Sequence, residues 1–171
     1  MAFTVRFQDP VTGHPRYNFD QTIRKGSRGT DPQLLQVLLN MLYFDEADAT
    51  RPVGFEPPVP RLVEDGIDGP QTRQLAAHCR ERFIRAGINL VSLGEHPEGR
   101  GLDPMRIPGQ SSTRLKVTYF IDALNSTVSN FDALLDLKRY PRLAFDNQVP
   151  LPLRNALKTV KTTANKYRFG G

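Results

Sequence analysis

Histidine and cysteine adjoin at His78–Cys79, and acidic residues pair at Glu64/Asp65 and at Glu95/Glu98. A thiol beside an imidazole is the minimum for nucleophilic catalysis. Two carboxylates in unlike environments could share acid and base roles in glycan cleavage. The spacing argues against both. Neighbouring helical residues point about 100° apart, so His78 and Cys79 do not act on each other. Cys79 falls on the apolar side of its helix and reads as a packed core thiol. Nothing around either acid pair separates one pKa from the other. His14 and His96 sit in turn-like sequence, and three scattered histidines with one cysteine give neither a metal site nor a disulfide. The chain reads as non-enzymatic, without cofactor or metal, rather than as a muramidase or amidase.

A second group of residues, "EDGIDGPQTRQ" at 64–74, concentrates turn chemistry. Gly66 and Gly69 allow positive φ, Pro70 suits the first turn of a helix, and Asp68 or Thr72 can cap its N–H groups. Asp65, Gly66, Gly69, Pro70 and Thr72 therefore read first as a corner. Asp68, Gln71 and Arg73 are the polar residues left over to offer hydrogen bonds and charge to a ligand. The run lacks the alternating acids and distal glutamate of a calcium loop.

The elements that must hold this corner follow from periodicity. "FTVRF" and "RYNF" alternate at period two around "DPVTGHP", which predicts a β-hairpin within residues 1–24. Thr30 or Asp31 is a candidate cap for a first helix, whose Leu34, Leu35, Val37, Leu38, Leu39, Met41 and Leu42 wrap nearly all round, so it is central and buried. A proline-rich insert, 45–63, separates it from the corner. The second helix runs from Pro70 to near Gly87. A third, over 111–138, carries a stripe at Val117, Ile121, Leu124, Val128, Phe131 and Leu135. At about 25 residues it would be about 38 Å long, more than the first two helices cover. Its stripe is thus a candidate surface for a partner or a second copy. A last helix is predicted from Pro152, with Leu153, Leu157, Val160, Ala164 and Tyr167 in line and Arg154, Lys158 and Lys161 beside them as a docking face. The organisation is a hairpin (1–24), a helical domain (25–138) and a basic helical extension (139–171), mainly α.

Charge is distributed unevenly. From Arg139 onward there are seven Lys/Arg and one acid, whereas residues 1–138 hold 16 bases and 17 acids. The net +5 is a property of the tail, and only Tyr167 interleaves with its bases, so a nucleic-acid platform is not expected. No apolar run approaches the ~20 residues of a membrane span, and the N-terminus lacks a signal-peptide core, so synthesis in the cytoplasm is expected.

"GSRGTDPQLLQVLLNML" followed by "VEDGIDGPQTRQLA" resembles the peptidoglycan-binding-like family of small three-helix domains. The matching residues are Gly29, Leu35–Gln36, Leu39–Asn40, Asp65–Gly66, Gly69–Pro70 and Thr72, with Leu124–Asn125 near the end of the third helix. The likeness covers about residues 25–126. It departs at the insert 45–63 and at Arg82–Phe83. It implies a three-helix core and a binding module for cell-wall peptidoglycan, with a shallow groove lined by the loop after helix one and the start of helix two. The hairpin looks more weakly like those of proteins tied to type VI and other contractile secretion systems. That pairing implies delivery to the periplasm, or incorporation in a secreted assembly, without a signal peptide. A structural or adaptor protein that uses the same fold for protein contacts is the alternative.

Overall fold

The computed structural model describes residues 1–45, 56–90, 97, 100–106 and 118–168. The hairpin forms as β1 (Phe3–Val5) and β2 (Arg16–Asn18), antiparallel with Thr4 opposite Tyr17. It contributes Phe3, Val5, Tyr17 and Phe19, each at most 2% exposed, to a single hydrophobic cluster that also draws on residues from the helical segment and the C-terminal segment.

Helix α1 (Thr30–Asn40) is buried along nearly its whole length and continues into one π-helical turn, Met41–Asp45. The expected caps have other work. Gly29, at φ 116°, holds the cap position without a side-chain bond. The Thr30 hydroxyl accepts from the Ala2 N–H at 3.0 Å, and the Asp31 carboxylate accepts from the N–H groups of Asp20 (3.0 Å) and Gln21 (3.1 Å). These side chains fasten the hairpin to α1 instead of closing the helix. The insert's described ends are joined by an ion pair between Asp45 and Arg61, and Arg139 reaches the same carboxylate at 2.6 Å.

Helix α2 (Pro70–Arg85) starts at the expected proline. Helix α3 (Phe120–Leu135) has 16 residues. Val117 and the rest of the predicted first turns, 111–117, lie outside the described residues. The stripe does not await a partner: Ile121, Leu124 and Val128 are fully buried, and Phe131 packs half-buried against the same core. The side of α3 next to the stripe is polar yet equally buried. Asp122, Asn125, Ser129 and Asp132 are 6% exposed or less because the hairpin loop and the chain after α3 lie on them. Asp132 accepts from the N–H groups of Arg139 (3.0 Å) and Tyr140 (2.8 Å), closing a left-handed turn at Asp136 and Lys138.

The C-terminal reading needs the largest correction. Helix α4 spans only Leu151–Leu157, and Val160–Lys161 form β3, parallel to β1, giving a sheet in the order β2-β1-β3. The apolar residues from Leu153 to Tyr167 fit a helical period, but Thr159, Val160, Thr162 and Thr163 are β-branched and favour an extended chain. The open edge of β1 supplies the partner, and the Thr4 hydroxyl secures the turn by donating to the Leu157 carbonyl at 2.6 Å. Lys161 is therefore not a free docking residue: it pairs with Asp20 at 2.6 Å and lies over the Phe3 ring. Arg154 donates to the Val149 carbonyl, while Lys158 is exposed. Among the described residues no helix is long and apolar enough to cross a membrane.

Candidate functional site

The corner at 62–69 is held by three amides on one face of α1. Gln33, Gln36 and Asn40 are three and four residues apart, so they line up along the helix. The Gln33 Nε2 donates to the Glu64 carbonyl at 2.8 Å. The Asn40 Nδ2 donates to the Leu62 carbonyl at 3.0 Å, and its Oδ1 accepts from the Leu62 N–H at 2.9 Å. Gln36, 1% exposed, is the hub. Its Nε2 lies within hydrogen-bond distance of Asp65 Oδ1, the Ile67 carbonyl and Thr72 Oγ1 at 3.0, 3.0 and 3.1 Å, and its Oε1 accepts from the Gly66 N–H at 2.9 Å. The amides supply what a neighbouring strand would otherwise supply to this backbone.

A second support comes from the turn before α1. Gly29 N–H donates to the Gly66 carbonyl (2.9 Å), Asp68 N–H to the Ser27 carbonyl (2.8 Å) and Gly26 N–H to the Asp68 carbonyl (3.1 Å). Arg28 and Ile67 stand opposite each other in an antiparallel bridge. Gly66 has φ 74°, and a Cβ there would lie 2.7 Å from the Gly29 carbonyl oxygen, so both the conformation and the close approach require glycine.

Between this corner and the start of α2 lies a shallow cavity of about 260 Å³ lined by Leu62, Val63, Asp65, Ile67, Gln71 and Thr72, among others. It stands where the resemblance implies a groove. Of the three ligand residues expected from sequence, Gln71 is exposed and lines it. Asp68 does not offer its carboxylate at the rim, since it is 3% exposed. Arg73 is half-buried and donates to the Asp68 carbonyl at 3.1 Å, bracing the corner from below α2. Asp65 is exposed, with one oxygen accepting from the Ile67 N–H at 2.9 Å. The apolar wall of Leu62, Val63 and Ile67 was not picked out from the sequence, although a valine in a proline-rich loop was a usable sign.

The other candidate residues serve the fold. The Cys79 thiol is buried and raised far above its usual range by that burial, and it bonds the Tyr43 hydroxyl. Tyr43 in the π-turn also contacts His78 Nδ1 at 2.8 Å, so one hydroxyl links two residues that point apart. Burial, then the charges of Arg82 and Arg85, push His78 below the ordinary histidine value. A native state that resists protonation binds fewer protons than the unfolded chain, so stability is present above the unfolded pKa of about 6.5 and falls as pH drops through the folded one. Thermal melts are expected to show a lower Tm at pH 5.5 than at pH 7.5, with a smaller drop in His78→Gln. An equal drop in the variant would remove His78 from the account.

Glu64 accepts from Asn40 Nδ2 at 3.0 Å. Glu95, Glu98 and His96 lie outside the described residues. His14 Nδ1, in the hairpin loop, contacts the Ser129 hydroxyl at 2.8 Å, and the buried Arg16 at the start of β2 pairs with Asp9 at 2.6 Å and Asp122 at 3.6 Å. Burial alone would raise the Asp9 carboxyl, but the N–H groups of Thr12 and Val11 and the Arg16 guanidinium outweigh it and hold it below its usual range. This polar cluster seats the hairpin loop on α3. Among the described residues no group of three or more His, Cys, Asp or Glu is placed to hold a metal ion. No family model, curated protein or solved structure matches this chain.

Proposed function

We propose that the chain is a non-enzymatic binding module for cell-wall peptidoglycan, serving a bacterial secretion or contractile injection apparatus. On this reading α1, α2 and α3 are the three helices of a peptidoglycan-binding-like domain, with the hairpin and the C-terminal segment packed onto them. The observation that carries it is the groove itself. Gln36, Asn40, Asp65, Gly66 and Thr72, residues on which the sequence resemblance rests, are the ones that brace or line it. An apolar wall beside Asp65 and Gln71 suits a ligand with methyl groups, amides and a charged end, as a muropeptide has.

The test is co-sedimentation with purified sacculi over rising salt. Groove binding is expected to persist at about 0.5 M salt, where the Debye length is only a few ångströms and attraction to the basic tail is screened. Loss of the chain from the pellet at that salt would reject groove recognition.

A further inference from the structure

We infer that the groove takes the free carboxylate end of a peptide, with Arg28 as its cationic partner. The inference rests on the proposed function and narrows it from cell wall in general to the peptide stem rather than the glycan strand.

Arg28 stands directly opposite Ile67, and Ile67 lines the groove. Residues opposite one another in an antiparallel pair project to the same face with Cβ atoms about 4.5–5.5 Å apart. Arg28 therefore leaves the backbone on the same side as Ile67, at the edge of the groove. The turn that carries it, "RKGSR" at 24–28, holds three bases and no acid. Hydrogen bonds from Gly26 and Gly29 and to Ser27 pin this turn to the corner, so its charge is fixed in place. Arg28 is exposed, and among the described residues no acidic side chain forms an ion pair with it. A guanidinium at one edge, a small apolar wall and the Gln71 amide together match a terminal residue with a short apolar side chain and a free carboxylate; the exposed Asp65, which also lines the groove, repels that carboxylate toward the Arg28 edge and can accept from the peptide N–H. A neutral sugar strand has no group for Arg28. The sequence pointed to Arg73 for this charge, but Arg73 is turned to the Asp68 carbonyl.

The experiment titrates the full chain with N-acetyl-D-Ala-D-Ala and, separately, with its C-terminal amide, followed by backbone amide shifts. The carboxylate form is expected to bind at least about 5-fold more tightly than the amide, with shifts at Ile67 and Gln71. Arg28→Gln should abolish that preference, while Lys158→Gln, which removes an equal charge from the tail, should keep it. Equal binding of the two forms, an unchanged preference in Arg28→Gln, or binding of neither form would overturn the inference. The two proposals fail separately: a chain that pellets with sacculi but ignores the carboxylate loses only this inference. One that binds the peptide but not sacculi loses the cell-wall reading.

Discussion

Gln36→Ala is expected to lower the unfolding free energy by about 3–5 kcal/mol, read as a fall in the urea midpoint without a change in slope. The side chain itself buries little apolar surface, so the cost is not one of packing. It comes from the partners left behind. Removing the amide strands the Gly66 N–H and takes a donor from the Ile67 carbonyl, the Thr72 hydroxyl and Asp65. Each buried polar group left unpaired costs about 1–3 kcal/mol, and water can recover only part of that at a site where Gln36 is 1% exposed. Gln71→Ala is the comparison, because it changes an exposed side chain on the same groove and should shift stability by less than about 0.5 kcal/mol. Equal effects of the two substitutions would contradict the amide-hub account.

The two glycines of the corner are expected to respond very differently, one with a large loss of stability and one with almost none. Gly66→Ala meets two obstacles, a left-handed backbone and a carbonyl oxygen 2.7 Å from the new Cβ. The first costs about 1–2 kcal/mol. The second forces the 26–29 turn away from the corner, for a total of about 3 kcal/mol. Gly69 has φ −92° and ψ 179°, an ordinary extended conformation before a helix, and nothing lies within 4 Å of a Cβ there. Gly69→Ser should stay within about 0.5 kcal/mol of wild type, since serine caps helices as well as glycine does. Thermal or urea unfolding of the pair decides it, and a tolerant Gly66 would mean that the corner is looser than its geometry states.

The sequence was most legible where local chemistry and tertiary packing agree. Alternating Phe3, Val5, Tyr17 and Phe19 form the hairpin because one face of it is core. Pro70 opens α2 because its missing N–H costs nothing in the first helical turn. Legibility failed where a long-range partner decided between two local options. Residues 153–167 fit a helical stripe, yet the free edge of β1 draws Val160 and Lys161 into a strand. The α3 stripe looked like an interface because nothing in the sequence says that α1 and the hairpin bury it. At the groove, the turn residues were readable as a corner from spacing alone. Which polar side chains face outward was not. Asp68 and Arg73 are drawn inward by backbone contacts, and Arg28, 39 residues before Ile67 in the chain, is set opposite it only by a long-range bridge.

The central claim is that recognition happens at this groove and not through the basic C-terminal segment. Val63 decides it, because it lines the cavity while 71% exposed, so its replacement leaves the fold intact. Co-sedimentation of wild type and Val63→Asp with purified sacculi at about 0.5 M salt is the direct measurement. Wild type is expected in the pellet and the variant largely in the supernatant, with both showing the same melting temperature within about 2 °C. Equal pelleting of the two proteins, or wild type left in the supernatant, would contradict it.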